Sequence, residues 1–178
     1  IYPNCHIKGN TLIRSNTEIR ENAVIENSVI GECVSVKSST IIDSQIGNGT
    51  TVGPYAYLRP GSRIGNNCKI GDFVEFKNAS FGDGSKASHL SYIGDADVGS
   101  NVNIGCGVVF VNYDGKNKFR TVVKDNSFVG SNSNLVAPVT IEENSFIAAG
   151  STITEDVPKD SLAIATGRQV NKADWNNK

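Results

Sequence analysis

Large apolar residues recur at intervals of six along most of the chain, and the residue two positions before each of them is small. Residues two apart in an extended strand point to the same face, so each hexad sends one small and one large side chain inward. Allowing one-residue slips, the large positions, among which only Ala87 is small, are Ile7, Ile13, Ile19, Ile25, Ile30, Val36, Ile42, Ile46, Val52, Leu58, Ile64, Ile70, Phe76, Phe81, Ala87, Ile93, Val98, Ile104, Phe110, Val123, Val129, Leu135, Ile141, Ile147 and Ile153.

A six-residue period held over so many units is typical of a parallel β-helix, whereas the strands of a sandwich are spaced irregularly. Three hexads make one triangular coil of about 18 residues, which predicts an all-β fold of about eight coils. Because each coil buries its core only against its neighbours, we expect one domain over residues 1–154. Residues 155–178 form a short C-terminal tail that caps the helix or packs on a neighbouring subunit.

One interval breaks the period, because Phe110 and Val123 are 13 residues apart. This predicts a protruding loop over residues 112–120, with a turn signal at Asp114-Gly115. The loop carries Lys116, Lys118 and Arg120, and a basic insertion on so regular a scaffold favours a functional role over an inert one.

Composition and charge exclude several kinds of partner. Lys and Arg number 17 against 18 Asp and Glu, for a net charge of −1, which argues against nucleic acid or an acidic membrane surface. No apolar run is long enough to span a bilayer. With four cysteines in no C-x-x-C pair and two histidines, we expect no metal site and free thiols in a reducing cytoplasm. The chain lacks Met and begins with Ile1, which indicates a piece of a longer protein.

The coil period places a group of polar residues on one side of the helix. Arg59 and Lys77 are 18 residues apart, so they point outward from one column on adjacent coils, about 4.8 Å apart. Two stacked cations are unfavourable without a partner. Glu75 or solvent is one way to relieve the repulsion, and a bound phosphate is the explanation that we favour. Tyr92 and Asn112 fall on the same side.

His89 lies at the corner that leads into Tyr92, next to this column and to the basic loop. A lone histidine is most often a surface residue, and these surroundings favour a role for His89. His6 lacks such surroundings and is expected to be a surface residue.

Several motifs together resemble a known enzyme family. They are Arg59-Pro60-Gly61, Gly71-Asp72-Phe73-Val74-Glu75-Phe76-Lys77, Gly84-Ser85-Lys86-Ala87-Ser88-His89-Leu90-Ser91-Tyr92, Asn101-Val102-Asn103-Ile104-Gly105 and Asn112-Tyr113-Asp114-Gly115. From about Gly47 onward the chain resembles the acetyltransferase domain of the bacterial bifunctional N-acetylglucosamine-1-phosphate uridyltransferase/glucosamine-1-phosphate acetyltransferase. The family's nucleotidyltransferase domain has no counterpart in this sequence.

The resemblance implies a left-handed helix, a cytoplasmic homotrimer with active sites shared between subunits, and acetyl transfer from acetyl-CoA to glucosamine 1-phosphate, which supplies UDP-GlcNAc for peptidoglycan synthesis in the cell envelope. It makes His89 the general base. The implied sugar-phosphate residues are Arg59, Lys77, Tyr92, Asn103 and Lys118. The implied acetyl-CoA residues are Cys106, Asn112, Tyr113, Ser131 and Ala149.

The tail departs from the family pattern. Leu162-Ala163-Ile164-Ala165 is followed by Thr166 where the family has an arginine for coenzyme A, and Arg168 is a substitute two residues further on. In the expected reaction an imidazole accepts the amine proton at neutral pH. The tetrahedral oxyanion needs hydrogen-bond donors, for which the Asn112 side chain and the backbone N–H of Ser131 are candidates.

Other functions stay open from the residues alone. A different hexapeptide-repeat acyltransferase, acting on another phosphorylated amino sugar, is compatible with the same fold. A non-catalytic oligomerisation module is also compatible, although it needs neither His89 nor the basic loop. A zinc-dependent carbonic anhydrase of this fold needs three histidines, and two do not supply them.

Overall fold

Parallel strands stack along the whole of the described chain, in a computed structural model that describes residues 1–173. Residues 174–178 of the expected tail lie outside the described residues. The first sheet contains β1 (His6–Lys8), β4 (Val24–Glu26), β7 (Thr40–Ile42), β10 (Tyr57–Leu58), β13 (Glu75–Lys77), β16 (Tyr92–Gly94), β19 (Val109–Val111), β22 (Asn134–Val136) and β25 (Thr152–Ile153).

The second sheet contains β2 (Leu12–Ile13), β5 (Val29–Ile30), β8 (Gln45–Ile46), β11 (Arg63–Ile64), β14 (Ser80–Phe81), β17 (Ala96–Val98), β20 (Thr121–Val123) and β23 (Val139–Ile141). The third contains β3 (Glu18–Ile19), β6 (Ser35–Val36), β9 (Thr51–Val52), β12 (Lys69–Asp72), β15 (Lys86–His89), β18 (Asn103–Ile104), β21 (Phe128–Val129), β24 (Phe146–Ile147) and β26 (Leu162–Ala163).

From β1 to β25 every third strand along the chain joins the same sheet, and β26 joins β24, so the chain winds as a β-solenoid of about nine turns. Away from the loop, partner residues on successive turns are 16 to 18 positions apart, as in the pairs Ile25–Ile41, Glu75–Tyr92 and Tyr57–Glu75. The hexapeptide parallel β-helix is therefore confirmed. The ninth turn comes from β26, which lies in the expected tail and pairs with β24. The left hand of the helix stays a prediction.

The core is a ladder of the inward large and small side chains. Phe76, Ile93 and Phe110 are fully buried on successive turns, and small residues such as Ser85 fill the corners. One inward position differs from the predicted one, because Ile41 is buried and Ile42 is only half-buried. The interval between Val36 and the next inward residue is therefore five rather than six, and Ile41 pairs with Leu58.

Residues 112–120 connect β19 to β20 outside the coil. The register across this connection is 25 residues, as in the pair Ala96–Thr121, instead of 16 to 18. Arg120 holds the end of the loop against the solenoid: its Nε and Nη2 lie 2.9 and 2.6 Å from the two carboxylate oxygens of Asp97. Nη2 also donates to the Ala96 carbonyl at 2.9 Å. The loop therefore has a fixed base beside β17 of the second sheet.

Candidate active site

Arg59 and Lys77 are neighbours on adjacent turns, as predicted. Leu58 pairs with Phe76, and the N–H of Arg59 donates to the Phe76 carbonyl. Both cations have carboxylate partners within the chain. Arg59 Nη1 lies 2.9 Å from Glu75 Oε1, and Lys77 Nζ lies 2.9 Å from Asp95 Oδ2. A bound phosphate, which we favoured above, is therefore not needed to explain the two stacked cations, because Glu75 and Asp95 already relieve their repulsion.

Asp95 is a buried carboxylate with three side-chain donors. Its Oδ2 accepts from Lys77 Nζ and from Asn112 Nδ2, the latter at 2.5 Å, and its Oδ1 accepts from Asn78 Nδ2 at 2.8 Å. Burial raises the pKa of Asp95, but these hydrogen bonds outweigh it and hold the pKa below the ordinary value. The carboxylate is therefore ionised at neutral pH.

Lys118 brings a third cation from the loop to this group. The neighbouring Lys77 ammonium lowers the pKa of Lys118, and Arg59 acts in the same direction. We call Arg59, Lys77 and Lys118 the cation cluster. Two carboxylates, Glu75 and Asp95, face three cations, so the cluster has an excess positive charge and can hold an anion.

Tyr92 crosses the outer face of the first sheet towards the cation cluster. A Cβ atom at Gly94 would lie 2.3 Å from the Tyr92 hydroxyl, so the ring occupies space that only a glycine leaves free. Asn112 Nδ2 lies 3.4 Å from the same hydroxyl. Tyr92, Asn112 and Lys77 are thus brought together, as the sequence predicted.

His89 ends β15 of the third sheet, at the corner that precedes β16 of the first sheet, and it has an acidic partner. Its Nδ1 is 2.7 Å from Asp72 Oδ1, on the preceding turn. An ionised carboxylate only accepts hydrogen bonds, so Nδ1 carries the hydrogen and Nε2 is left as the acceptor. The hydrogen bond from His89 lowers the pKa of Asp72. The side chain of His89 is 60% exposed, so a ligand can reach Nε2.

Three predicted coenzyme residues lie in line with His89. Ala87, Ile104, Val129 and Ile147 pair in register on successive turns. The residues two positions after them form one line along the corner, and we call this line the corner column. Together with Asp72, its members are His89, Cys106, Ser131 and Ala149. Cys106, Ser131 and Ala149 are all exposed.

The remaining predicted residues belong neither to the cation cluster nor to the corner column. Asn103 is half-buried on the third sheet, where it pairs with Lys86 and Phe128. Tyr113 is exposed, and its hydroxyl donates to the Gly115 carbonyl at 2.7 Å within the loop. Thr166 lies beside Gly150 at the last turn, and Arg168 is exposed two residues further on. The described contacts of the single chain join none of them to the cation cluster.

Sequence reasoning missed Asp72 and Asp95 as members of the site. Asp72 precedes His89 by 17 residues, and Asp95 follows Asn78 by 17 residues, so the coil period itself could have indicated both. The role of the Asn112 side chain as an oxyanion donor stays a prediction, and in this structure its Nδ2 group is bound to Asp95 and lies near the Tyr92 hydroxyl. The backbone N–H of Ser131 donates to no acceptor among residues 1–173.

Within residues 1–173 no cluster of three histidine, cysteine or acidic side chains is arranged to hold a metal ion. The same residues contain no helix with the length and apolar character that a membrane crossing requires.

Comparisons with known proteins agree with this fold. A family model described as bacterial transferase hexapeptide (six repeats) matches residues 43–78 and 120–155. Among solved structures, the UDP-N-acetylglucosamine acyltransferase LpxA of Bacteroides fragilis superposes with a TM-score of 0.78 at 21% identity, covering 94% of this chain and 71% of that one. A perosamine N-acetyltransferase of Caulobacter crescentus, in complex with CoA and GDP-perosamine, gives 0.58 at 14% identity, with 84% and 93% covered. These two likenesses show the shared fold.

Sequence relatives are much more similar. The bifunctional protein GlmU of Clostridioides difficile is 66% identical over 175 residues, which are 98% of this chain and 38% of the relative. GlmU of Alkaliphilus oremlandii is 64% identical, with the same shares covered. GlmU of Clostridium botulinum strain 657 is 54% identical over all 178 residues and 39% of its own length. The chain thus spans about two fifths of the length of these relatives.

Proposed function

Because this chain is a hexapeptide-repeat domain of the GlmU type, as the resemblance indicated, we propose that it is an acetyltransferase that moves the acetyl group of acetyl-CoA to the amine of glucosamine 1-phosphate. The product, N-acetylglucosamine 1-phosphate, supplies UDP-GlcNAc for the cell envelope.

One observation carries the proposal. The His89–Asp72 pair lies at the corner where strands of the third sheet end. The three residues of β16, about 10 Å of strand, lie between that corner and the one at which Asp95 holds Lys77 of the cation cluster. A phosphate held by Arg59, Lys77 and Lys118 leaves the rest of a sugar phosphate extending along Tyr92 towards His89. The arrangement fits an acceptor with a phosphate at one end and a reactive amine towards the other.

The proton chemistry follows from the orientation of His89. Asp72 fixes the Nδ1–H tautomer, so Nε2 accepts the proton as the amine nitrogen attacks the thioester carbon. A carbon–nitrogen bond forms, the carbon–sulfur bond breaks, and the imidazolium returns the proton to the departing coenzyme A thiolate. No acyl-enzyme is needed. Orientation of the two bound reactants supplies about 7–11 kcal/mol of the barrier in favourable cases.

The corner column is proposed to bind the acetyl-CoA. Cys106, Ser131 and Ala149 have small, exposed side chains in line with His89, and this supports a thioester bound beside the base. The unused N–H of Ser131 is the proposed oxyanion donor. Asn112 and Tyr113 close the site from the loop, and Thr166 or Arg168 contacts the coenzyme beyond Ala149. The coenzyme is the only co-substrate proposed, with no metal.

We propose further that the chain works as a cytoplasmic homotrimer. Asn103 lies on the third sheet and Arg168 beyond the last turn, away from the cation cluster of the same chain. An adjacent subunit that brings these residues to the cluster completes the site. Sedimentation equilibrium tests this assembly, and a monomer at assay concentration would contradict it.

The proposed function is tested by an acetylation assay with acetyl-CoA and glucosamine 1-phosphate, run beside unphosphorylated glucosamine. We expect the phosphorylated sugar to be preferred, and Arg59→Ala to weaken its binding by about 1.5–3 kcal/mol through a lost charged hydrogen bond. Arg63→Ala is the matched control, because Arg63 lies on the second sheet. Equal use of both sugars by the wild-type protein, or no acetylation, would overturn the proposal.

A further inference from the structure

Asp95 makes contacts that a corner residue of the solenoid does not need. It has φ of 48°, a left-handed conformation that Asp and Asn adopt more readily than other side chains. Asp43 occupies a corresponding corner with φ of 44°, but it is exposed. Asp95 is 6% exposed, and a buried carboxylate is costly unless donors surround it. The corner conformation alone therefore does not explain it.

The carboxylate fixes which way the Asn112 amide faces. Asp95 Oδ2 only accepts hydrogen bonds, so the group of Asn112 that faces it is the Nδ2 donor. Asn112 is 8% exposed, and the Tyr92 hydroxyl also lies near Nδ2. The amide oxygen of Asn112 is consequently left to accept a hydrogen bond, and a substrate amine offers one.

The same carboxylate holds Lys77. The hydrogen bond to Asp95 raises the pKa of Lys77 even though burial opposes it, so the ammonium stays charged beside Lys118. The contacts of Asp95 also span three successive turns of the solenoid. Lys77 and Asn78 lie on one turn, Asp95 on the next and Asn112 on the third. One side chain thus connects the cation cluster to the start of the loop.

We infer that Asp95 is a positioning residue for the transfer reaction: it holds the Lys77 ammonium towards the acceptor phosphate and turns the Asn112 amide oxygen towards the acceptor amine. This inference rests on the proposed function. Asp95 itself touches neither substrate. Its single buried carboxylate orients two side chains, Lys77 and Asn112, that contact opposite ends of the same acceptor.

The test is Asp95→Asn, which keeps size and tolerates the positive φ but loses the charge and offers an amide of either orientation. Asp43→Asn is the matched control. We expect Asp95→Asn to raise the KM for glucosamine 1-phosphate by about 10- to 100-fold, the cost of a charged hydrogen bond, and to lower kcat through Asn112. With unphosphorylated glucosamine the rise in KM should disappear while the loss of kcat stays. Asp43→Asn should leave both constants unchanged.

A merely structural role would instead lower kcat for both sugars in proportion to unfolded protein, with KM unchanged, and that result would overturn the inference. Nuclear magnetic resonance keeps the inference testable if Asp95→Asn folds poorly or if the wild-type protein does not acetylate. The hydrogen bond to Asp95 raises the pKa of Lys77, so the Lys77 ammonium should titrate lower in Asp95→Ser than in the wild-type protein. Absence of wild-type acetylation would refute the proposed function alone, whereas an unchanged Lys77 titration would refute the role of Asp95.

Discussion

Charged side chains around the first sheet are paired between turns. Asp72 binds His89, Glu75 binds Arg59, and in each pair the two residues are 16 or 17 positions apart. The coil brings such positions side by side, so the chemistry of each side chain depends on a residue one turn away. A cation or a histidine considered with its sequence neighbours alone lacks the partner that orients it.

The role of His89 is tested by His89→Ala. We expect kcat to fall by about 10²- to 10⁴-fold, the usual contribution of a general base, with little change in either KM. The side chain is 60% exposed, so the melting temperature should stay close to that of the wild type. His6→Ala is the control, because His6 is exposed on β1 at the far end of the solenoid. Retention of most of kcat in His89→Ala would show that orientation of the reactants carries the reaction without a base.

At the scale of elements, the loop over residues 112–120 depends on one anchor. Arg120 offers a planar fork to Asp97 and also donates to the Asn78 carbonyl at 3.2 Å. The hydrogen bond from Arg120 is the main cause that lowers the pKa of Asp97. Because the folded pKa is depressed, this stabilisation is present at neutral pH and is lost as the pH falls through that lowered pKa. The position of Lys118 depends on the same anchor.

Arg120→Lys keeps the charge but loses the fork, and a lysine cannot meet Asp97 and both carbonyls at once. We expect the backbone amides of residues 113–118 to exchange about three- to tenfold faster in hydrogen-exchange measurements, since the loop opens more easily. Arg63→Lys is the matched control, because Arg63 and Arg120 line one surface groove together with Asn78 and Asp97, and the Arg63 side chain has no such bonds within residues 1–173. Exchange at the wild-type rate in Arg120→Lys would mean that the loop is held elsewhere.

Much of the fold followed from the period of the sequence, and the misses have physical reasons. Ile41 and Ile42 are both large and apolar, so the pattern alone does not say which of them faces the core. The register with Leu58 decides it. β26 was missed because its inward residue is the small Ala163, which follows the last predicted inward residue, Ile153, by ten positions instead of six. Arg59 and Lys77 were correctly predicted to be neighbours on adjacent turns. Asp95, the partner of Lys77, was missed because it lies at a corner, where the hexad pattern does not specify a side-chain direction.

The whole molecule is stabilised by the stacking of turns, because each turn contacts only its neighbours. All four cysteines are free, so the packing of the core ladder has to supply the stability. Phe76 is a central member of this ladder. It is fully buried and meets Phe81 edge to face, with ring centroids 5.2 Å apart. Its neighbour Phe73 is 58% exposed and stacks on Tyr55 at the surface.

Because Phe76 is buried and Phe73 is exposed, their replacement by Ala should affect the stability of the whole molecule differently. Phe76→Ala should lower the free energy of unfolding by about 3–5 kcal/mol, because it removes buried contacts and leaves a cavity. Phe73→Ala should change it by about 0.5 kcal/mol or less, as a surface substitution does. Denaturant unfolding followed by circular dichroism measures both, at one fixed protein concentration because assembly also adds to stability. Equal losses in the two variants would mean that the interior ladder is not what holds the turns together.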